Sequence, residues 1–273
     1  MENQRDNYQS QVAFIKSRNL FILLTDDNLV NQFLGKRILK NIGVSNVDLA
    51  SDGNEAFELV KNNDYDIILT DVEMPIMNGY ELAKAVHAAL PEEKLPLLIA
   101  LTANASDDDR ETARLSGIDD YLTKPYSPQD LIDVIMKHCG KADLMFFEEL
   151  STVEKTSAPG LQKLYALFNS NPDDIRHFLS MLSQQIPELI AEMRIGILKD
   201  DWEKAFQAAH KLKSPITMLG DTHLASGLGN LTEDLRHRRQ LNNCPTALDA
   251  LLPALESVMV LINSELEKPE LNQ

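Results

Sequence analysis

The chain has 273 residues, 44% of them apolar, enough for about two domains with substantial cores. A formal charge of −16 argues against the basic surface that a nucleic-acid binder presents to phosphates. Two distant cysteines, Cys139 and Cys244, have neither a metal-type spacing nor a disulfide framework and point to a reducing compartment.

The first residues, MENQRDNYQSQ, are polar and charged, unlike a signal peptide, and 1–18 reads as a leader. No apolar run approaches the ~18 residues needed to span a bilayer, so the chain is expected to be soluble, with no direct membrane contact. From 19 to 140, short apolar runs alternate with helical patterns. LFILLT (20–25), VDLA (47–50), DIILT (66–70), PLLIAL (96–101) and DYL (120–122) read as strands. Amphipathic segments at 28–42, 54–62, 79–90, 107–116 and 127–138 read as helices, two of them followed by a glycine, Gly43 or Gly117, as a helix C-terminus prefers. Five β-then-α units imply a parallel sheet covered on both faces, with sites at the carboxyl ends of its strands.

After Cys139 the pattern changes. Residues 141–160 lack a long period and end in Ser, Ala, Pro and Gly, as a linker does. From 161 to 268 strand signals vanish. A short helix at 161–169 precedes long amphipathic stretches at 172–199, 201–219, 221–239 and 246–267, punctuated by Pro172, Gly220-Asp221 and Cys244-Pro245. Short connections between such helices imply an antiparallel four-helix bundle. Residues 269–273 form a tail.

Polar groups with matched chemistry cluster at the expected strand ends. Asp26 and Asp27 follow the first strand, Asp71 the third, Thr102 the fourth and Lys124 the fifth. A lone acid after a strand ordinarily caps a helix, and the run Asp107-Asp108-Asp109 fits that use, since negative charge is favoured at a helix start. Five suitable groups at successive strand ends exceed what capping requires. Like charges ~4 Å apart repel by ~1 kcal/mol in water and ~4 at an effective dielectric of 20, and a cation would offset that. A few hard oxygen ligands suit Mg²⁺, which often shares its shell with phosphate. A hydroxyl and an ammonium opposite would hold a phosphoryl group, and an aspartate there can act as a nucleophile.

In the second half one histidine stands out. On a helical wheel Trp202, Ala205, Ala209, Leu212, Ile216 and Leu219 form the bundle-facing stripe, and His210 lies well away from it. His210 is therefore expected to be mostly exposed, with Lys213 one turn on. A neighbouring lysine repels a metal ion but welcomes an anion, and it favours the neutral, nucleophilic imidazole. By spacing alone, an ordinary surface histidine remains the other reading.

The segments ILLTDDN (22–28), IILTDVEMPIMNGYEL (67–82), IALTANA (99–105) and YLTKPY (121–126) resemble the response-regulator receiver family. That resemblance implies a flavodoxin-like α/β fold with strand order 2-1-3-4-5. It also implies that Asp71 is the phosphoacceptor and that Asp26, Asp27, Asp71 and the backbone carbonyl of Glu73 hold Mg²⁺. Thr102 and Lys124 would contact the phosphoryl group, Thr102 and Tyr121 would form a switch pair, and Lys124-Pro125 would be a cis peptide. WEKAFQAAHKLKSPITMLG (202–220) is similar to the histidine-phosphotransfer (HPt) family. There His210 maps to the phosphorylated histidine and Lys213 to a phosphate-stabilising lysine. Ser214 stands where the family usually has glycine, and Pro215 should bend the helix just after the active turn.

Together the two resemblances imply a two-component phosphorelay, as in the C-terminal part of hybrid sensor histidine kinases. A histidine kinase would phosphorylate Asp71, and His210 would pass the group to the receiver of a separate response regulator. No ATP-binding motif occurs in the sequence, so these modules are not expected to autophosphorylate. If they are the tail of a hybrid kinase, they would belong to a histidine kinase, cytoplasmic but tethered through its sensor region. The alternative is a receiver joined to a non-catalytic helical docking or dimerisation module.

Overall fold

The computed structural model describes residues 2–102, 107–139, 161–168 and 171–268. The expected linker at 141–160 and the tail at 269–273 lie outside the described residues. The chain divides into two compact units, Met1–Val153 and Glu154–Gln273.

In the first unit, helix α1 (Glu2–Arg18) precedes five strands: β1 (Phe21–Thr25), β2 (Asn46–Ala50), β3 (Ile67–Asp71), β4 (Leu97–Thr102) and β5 (Asp120–Thr123). Helices α2 (Leu29–Asn41), α3 (Gly53–Asn62), α4 (Gly79–Ala89), α5 (Asp107–Leu115) and α6 (Pro128–Cys139) follow them in turn. The sheet is parallel, in the order β2-β1-β3-β4-β5. Its central strands are β-branched and Leu-rich because helices cover both faces. Ile22, Leu23, Ile67, Ile68, Leu69, Leu98 and Ile99 are fully buried, each contributing about 1.5–3 kcal/mol. Asn78 caps α4 in a capping box with Glu81, an arrangement worth about 1 kcal/mol.

The leader is helical along most of its length. Its Ile15 is buried, α1 packs on α6, and Gln129 donates to the Gln11 side chain at 3.2 Å. That packing was not legible in a segment whose composition is mostly polar.

In the second unit, α7 (Leu161–Leu167) precedes α8 (Pro172–Leu198), α9 (Trp202–Met218), α10 (Thr222–Arg236) and α11 (Cys244–Leu266). Helices α8 to α11 each pack on the next and α11 closes back on α8, a four-helix bundle. Phe168, Phe178, Leu182, Met193, Leu212, Leu228, Leu255 and Ile262 fill its core. Cys244-Pro245 opens α11 instead of ending a connection, as Pro suits a first turn.

The expectation about apolar stretches needs one correction. Leu241–Leu266 is a helix long and apolar enough to cross a membrane, with a mean hydropathy of 1.5 over an 18-residue window. Its apolar residues are interspersed with polar ones and so do not read as a contiguous run. In the bundle its Leu248, Leu255, Val258 and Ile262 are buried, and it packs on α8 and α10.

Candidate functional site

Sheet register brings the acids of the first unit together. Thr25 of β1 pairs with Thr70 of β3, so the next residues, Asp26 and Asp71, are neighbours. Their buried carboxylates and that of half-buried Asp27 offer oxygens within 4.8 Å of one another. Thr102 pairs with Thr123, which places Lys124 just past the end of β5, and the Lys124 N–H donates to the Thr102 carbonyl at 2.7 Å.

Lys124 Nζ lies 2.6 Å from Asp26 Oδ2 and 2.6 Å from Asp71 Oδ2, with all three side chains buried. Burial alone would lower the Lys124 pKa, but the two carboxylates outweigh it and the ammonium titrates above its usual range. Burial pushes Asp26 up even against Lys124, with Asp71 adding to the rise. The ion pair is therefore worth less than the Lys124 shift by itself suggests, because desolvating the acids is charged against it.

The remaining oxygens are held by donors that the sequence reading missed. Asp26 Oδ1 accepts from the Asn28 N–H at 2.9 Å and from Asn31 Nδ2 at 3.1 Å. Gln32, also buried, donates to the Asp26 carbonyl at 2.7 Å and the Ala50 carbonyl at 3.2 Å. Asp71 Oδ1 accepts from the Glu73 N–H at 3.1 Å. A polar glutamine among the inward positions of α2 was the available signal. Thr102, at the end of β4, and Tyr121, within β5, are both half-buried, with Tyr121 packed against the sheet core. The Lys124-Pro125 peptide is cis, as the resemblance implied.

The donor set fits a divalent cation. Three hard oxygen donors converge and the ammonium of Lys124 already sits between two of them, a site that favours positive charge.

In the second unit, α9 starts at Asp201, whose side chain accepts from the Lys204 N–H. Ala205, Ala208, Ala209, Leu212 and Ile216 face the bundle, while Trp202 is half-buried. A Cβ on Gly196 would lie 2.7 Å from the Ala205 nitrogen, so α8 and α9 meet closely there. His210 is half-buried, not mostly exposed, because the Phe206 ring one turn earlier leans beside it with centroids 5.9 Å apart. Lys213 extends over Gly229 of α10, where an added Cβ would stand 3.6 Å from its Cε. Ser214 is half-buried, and α9 runs unbroken through the buried Pro215.

A parallel α/β sheet with carboxylates and a lysine at its strand ends, together with a helical bundle carrying a flanked histidine, defines two-component signalling modules. Residues 22–136 match the response regulator receiver domain family and 177–261 match the Hpt domain family. The chain belongs to the receiver family, with an Hpt domain following, and is a phosphorelay module. It is 30% identical over 214 residues to the aerobic respiration control sensor protein ArcB of Escherichia coli K12, covering 75% of this chain and 26% of that protein. It is 38% identical over 118 residues to an uncharacterized 14.6 kDa protein of Leptolyngbya boryana, covering 43% of this chain and 88% of that one. The solved receiver domain of sensor kinase PA1611 from Pseudomonas aeruginosa PAO1, with magnesium coordinated in its cleft, is 35% identical and covers 45% of this chain and 98% of that chain at a TM-score of 0.41. The chain spans about a quarter of the length of ArcB, 26%.

Proposed function

We propose that Asp71 accepts a phosphoryl group from the phosphohistidine of a histidine kinase, and that His210 carries it on toward the receiver of a separate response regulator. The observation that supports this most is the shared ion pair of Lys124 with Asp26 and Asp71, a buried ammonium set between two buried carboxylates at the strand ends.

The side chains of Asp26, Asp27 and Asp71 and the backbone carbonyl of Glu73 would hold Mg²⁺. Bound there, the ion supplies positive charge to phosphoryl oxygens as their charge develops. An Asp71 carboxylate oxygen attacks phosphorus; the donor's P–N bond breaks, its electron pair returns to the imidazole, and that ring takes a proton from solvent. Lys124 then turns from Asp71 to a phosphoryl oxygen, with the Thr102 hydroxyl donating to another, and Tyr121 follows the threonine inward. In the next step the lone-pair nitrogen of a neutral His210 attacks phosphorus and the P–O bond breaks. The electron pair leaves with Asp71 as carboxylate, and the proton on the other ring nitrogen stays there or passes to solvent. Lys213 offsets part of the charge arriving on His210, with Ser214 beside it. Because the kinase that feeds such a relay draws on ATP, we place the module in the cytoplasm.

The test uses two full-length chains. A His210→Ala chain is labelled at Asp71 with acetyl phosphate and Mg²⁺, then mixed with an Asp71→Asn chain. Acid-labile, base-stable phosphate at His210 of the second chain is the expected result. Its absence, with the first chain fully labelled, would leave the bundle as a non-catalytic docking module.

A further inference from the structure

Ile76 is 77% exposed and has a backbone φ of 70°, in the left-handed region. The Met77 N–H donates to the Pro75 carbonyl at 2.8 Å, so Ile76 is the centre of a three-residue turn of the rarer hand. Glycine adopts that conformation without steric cost, whereas a β-branched residue is strained in it. An exposed side chain recovers little of that strain by packing inside its own chain. The turn is instead held from both sides. The Gly53 N–H donates to the Met77 carbonyl at 3.2 Å, and the Gly79 N–H donates to the Val72 carbonyl at 3.1 Å. A second large aliphatic side chain, Leu29, is 61% exposed at the start of α2, three residues past Asp26. The acidic cluster is thus flanked in sequence by displayed aliphatic groups, one on the loop after β3 and one at the first residue of α2. Strain kept in place around an outward-facing side chain points to a contact made with another molecule.

The α9 face that carries His210 has matching chemistry. Phe206 lies one turn before the histidine, half-buried, and Lys213 lies one turn after it. For the imidazole to reach Asp71, its helix must cross the strand ends, which sets an aromatic ring and a cation against an aliphatic rim and an acidic floor. We propose that Ile76 and Leu29 form the docking rim for the Phe206–His210–Lys213 face of a second copy of this chain. The proposal rests on the reading that Asp71 and His210 exchange a phosphoryl group.

The same pair of full-length chains tests it, with Ile76→Gly introduced into the His210→Ala carrier. Acetyl phosphate is too small to need the rim, so labelling of Asp71 should keep its rate and the melting temperature should not fall. Transfer to His210 of the Asp71→Asn chain should slow at least tenfold. Phe206→Ala in the acceptor should slow transfer from the Ile76 carrier, and should add little once Ile76→Gly is present. Transfer at the unaltered rate from the Ile76→Gly carrier would overturn the proposal. An equal loss of acetyl-phosphate labelling would overturn it too, by moving Ile76 from docking to the chemistry. Failure of the underlying reading shows differently: His210 then stays unlabelled even with Ile76 in place.

Discussion

Gly79 and Asp71 are in direct backbone contact: a β-carbon on Gly79 would lie 2.4 Å from the Asp71 carbonyl oxygen. The same carbon would stand 3.1 Å from Thr70 Oγ1, which donates to that carbonyl at 3.0 Å. The start of α4 therefore fixes the backbone that carries the phosphoacceptor. Gly79→Ala should lower stability by about 1–3 kcal/mol through overpacking and slow acetyl-phosphate labelling of Asp71. Denaturant unfolding and a labelling time course read the two effects, and no change in either would mean that the helix start yields freely.

Lys124 separates two buried acids, so Lys124→Met should leave them facing each other without compensation. We expect a loss of about 3–5 kcal/mol, the usual result of breaking a buried pair from one side. Mg²⁺ should restore part of it, about 2.7 kcal/mol at a hundred times its Kd. Melting curves in Mg²⁺ and in chelator check this. The raised lysine pKa means that its contribution is whole at neutral pH and fades only as pH climbs through the folded-state value, above the ordinary lysine range. Equal melting temperatures with and without Mg²⁺ in the variant would remove the cation site.

Asn31 donates to the same Asp26 oxygen as the Asn28 N–H. Outer groups that orient a ligand typically change metal affinity by about 10–100-fold when lost. Asn31→Ala should weaken Mg²⁺ binding on that scale, as titration calorimetry would show, while costing about 1 kcal/mol of stability. An unaltered Kd would reduce Asn31 to a helix contact.

Lys213→Ala should slow phosphoryl transfer to His210 by about 10- to 150-fold without abolishing it, the effect of losing one charge-assisted contact of about 1.5–3 kcal/mol. Helix content should stay constant, since Lys213 is half-buried and passes Gly229 at ordinary contact distance. Complete loss of transfer would give Lys213 a larger part than charge compensation.

Tyr165 of α7 donates its hydroxyl to the buried Glu265 of α11, which also pairs with Lys268 at 2.8 Å. Burial alone would raise the Glu265 pKa, but the contacts from Lys268 and Tyr165 carry it below the usual range. The stability from this group is thus present above the ordinary carboxylate pKa and lost as pH falls through the lower, folded-state value. Tyr165→Phe should cost about 1 kcal/mol at neutral pH, and the gap to the parent should narrow below the carboxylate range. A gap that stays constant to low pH would assign the effect to packing.

The sequence by itself determined the alternation of strands and helices, because a buried parallel strand must read as an apolar run and its covering helix as a periodic one. It also located Asp26, Asp27, Asp71, Thr102 and Lys124, because chemistry at strand ends recurs at fixed places in the β–α units. The tertiary structure decided what those patterns leave open. Lys124 meets Asp26 across 98 positions of chain, and no local period encodes that contact. Asn31 and Gln32 read as ordinary helix polars until the fold turns them onto Asp26. The polar leader hides one buried isoleucine, Ile15, and His210 is partly covered by a phenylalanine whose rotamer a helical wheel does not specify. Periodicity reports which face a residue occupies; the depth of a side chain and its partners depend on what the rest of the chain packs against it.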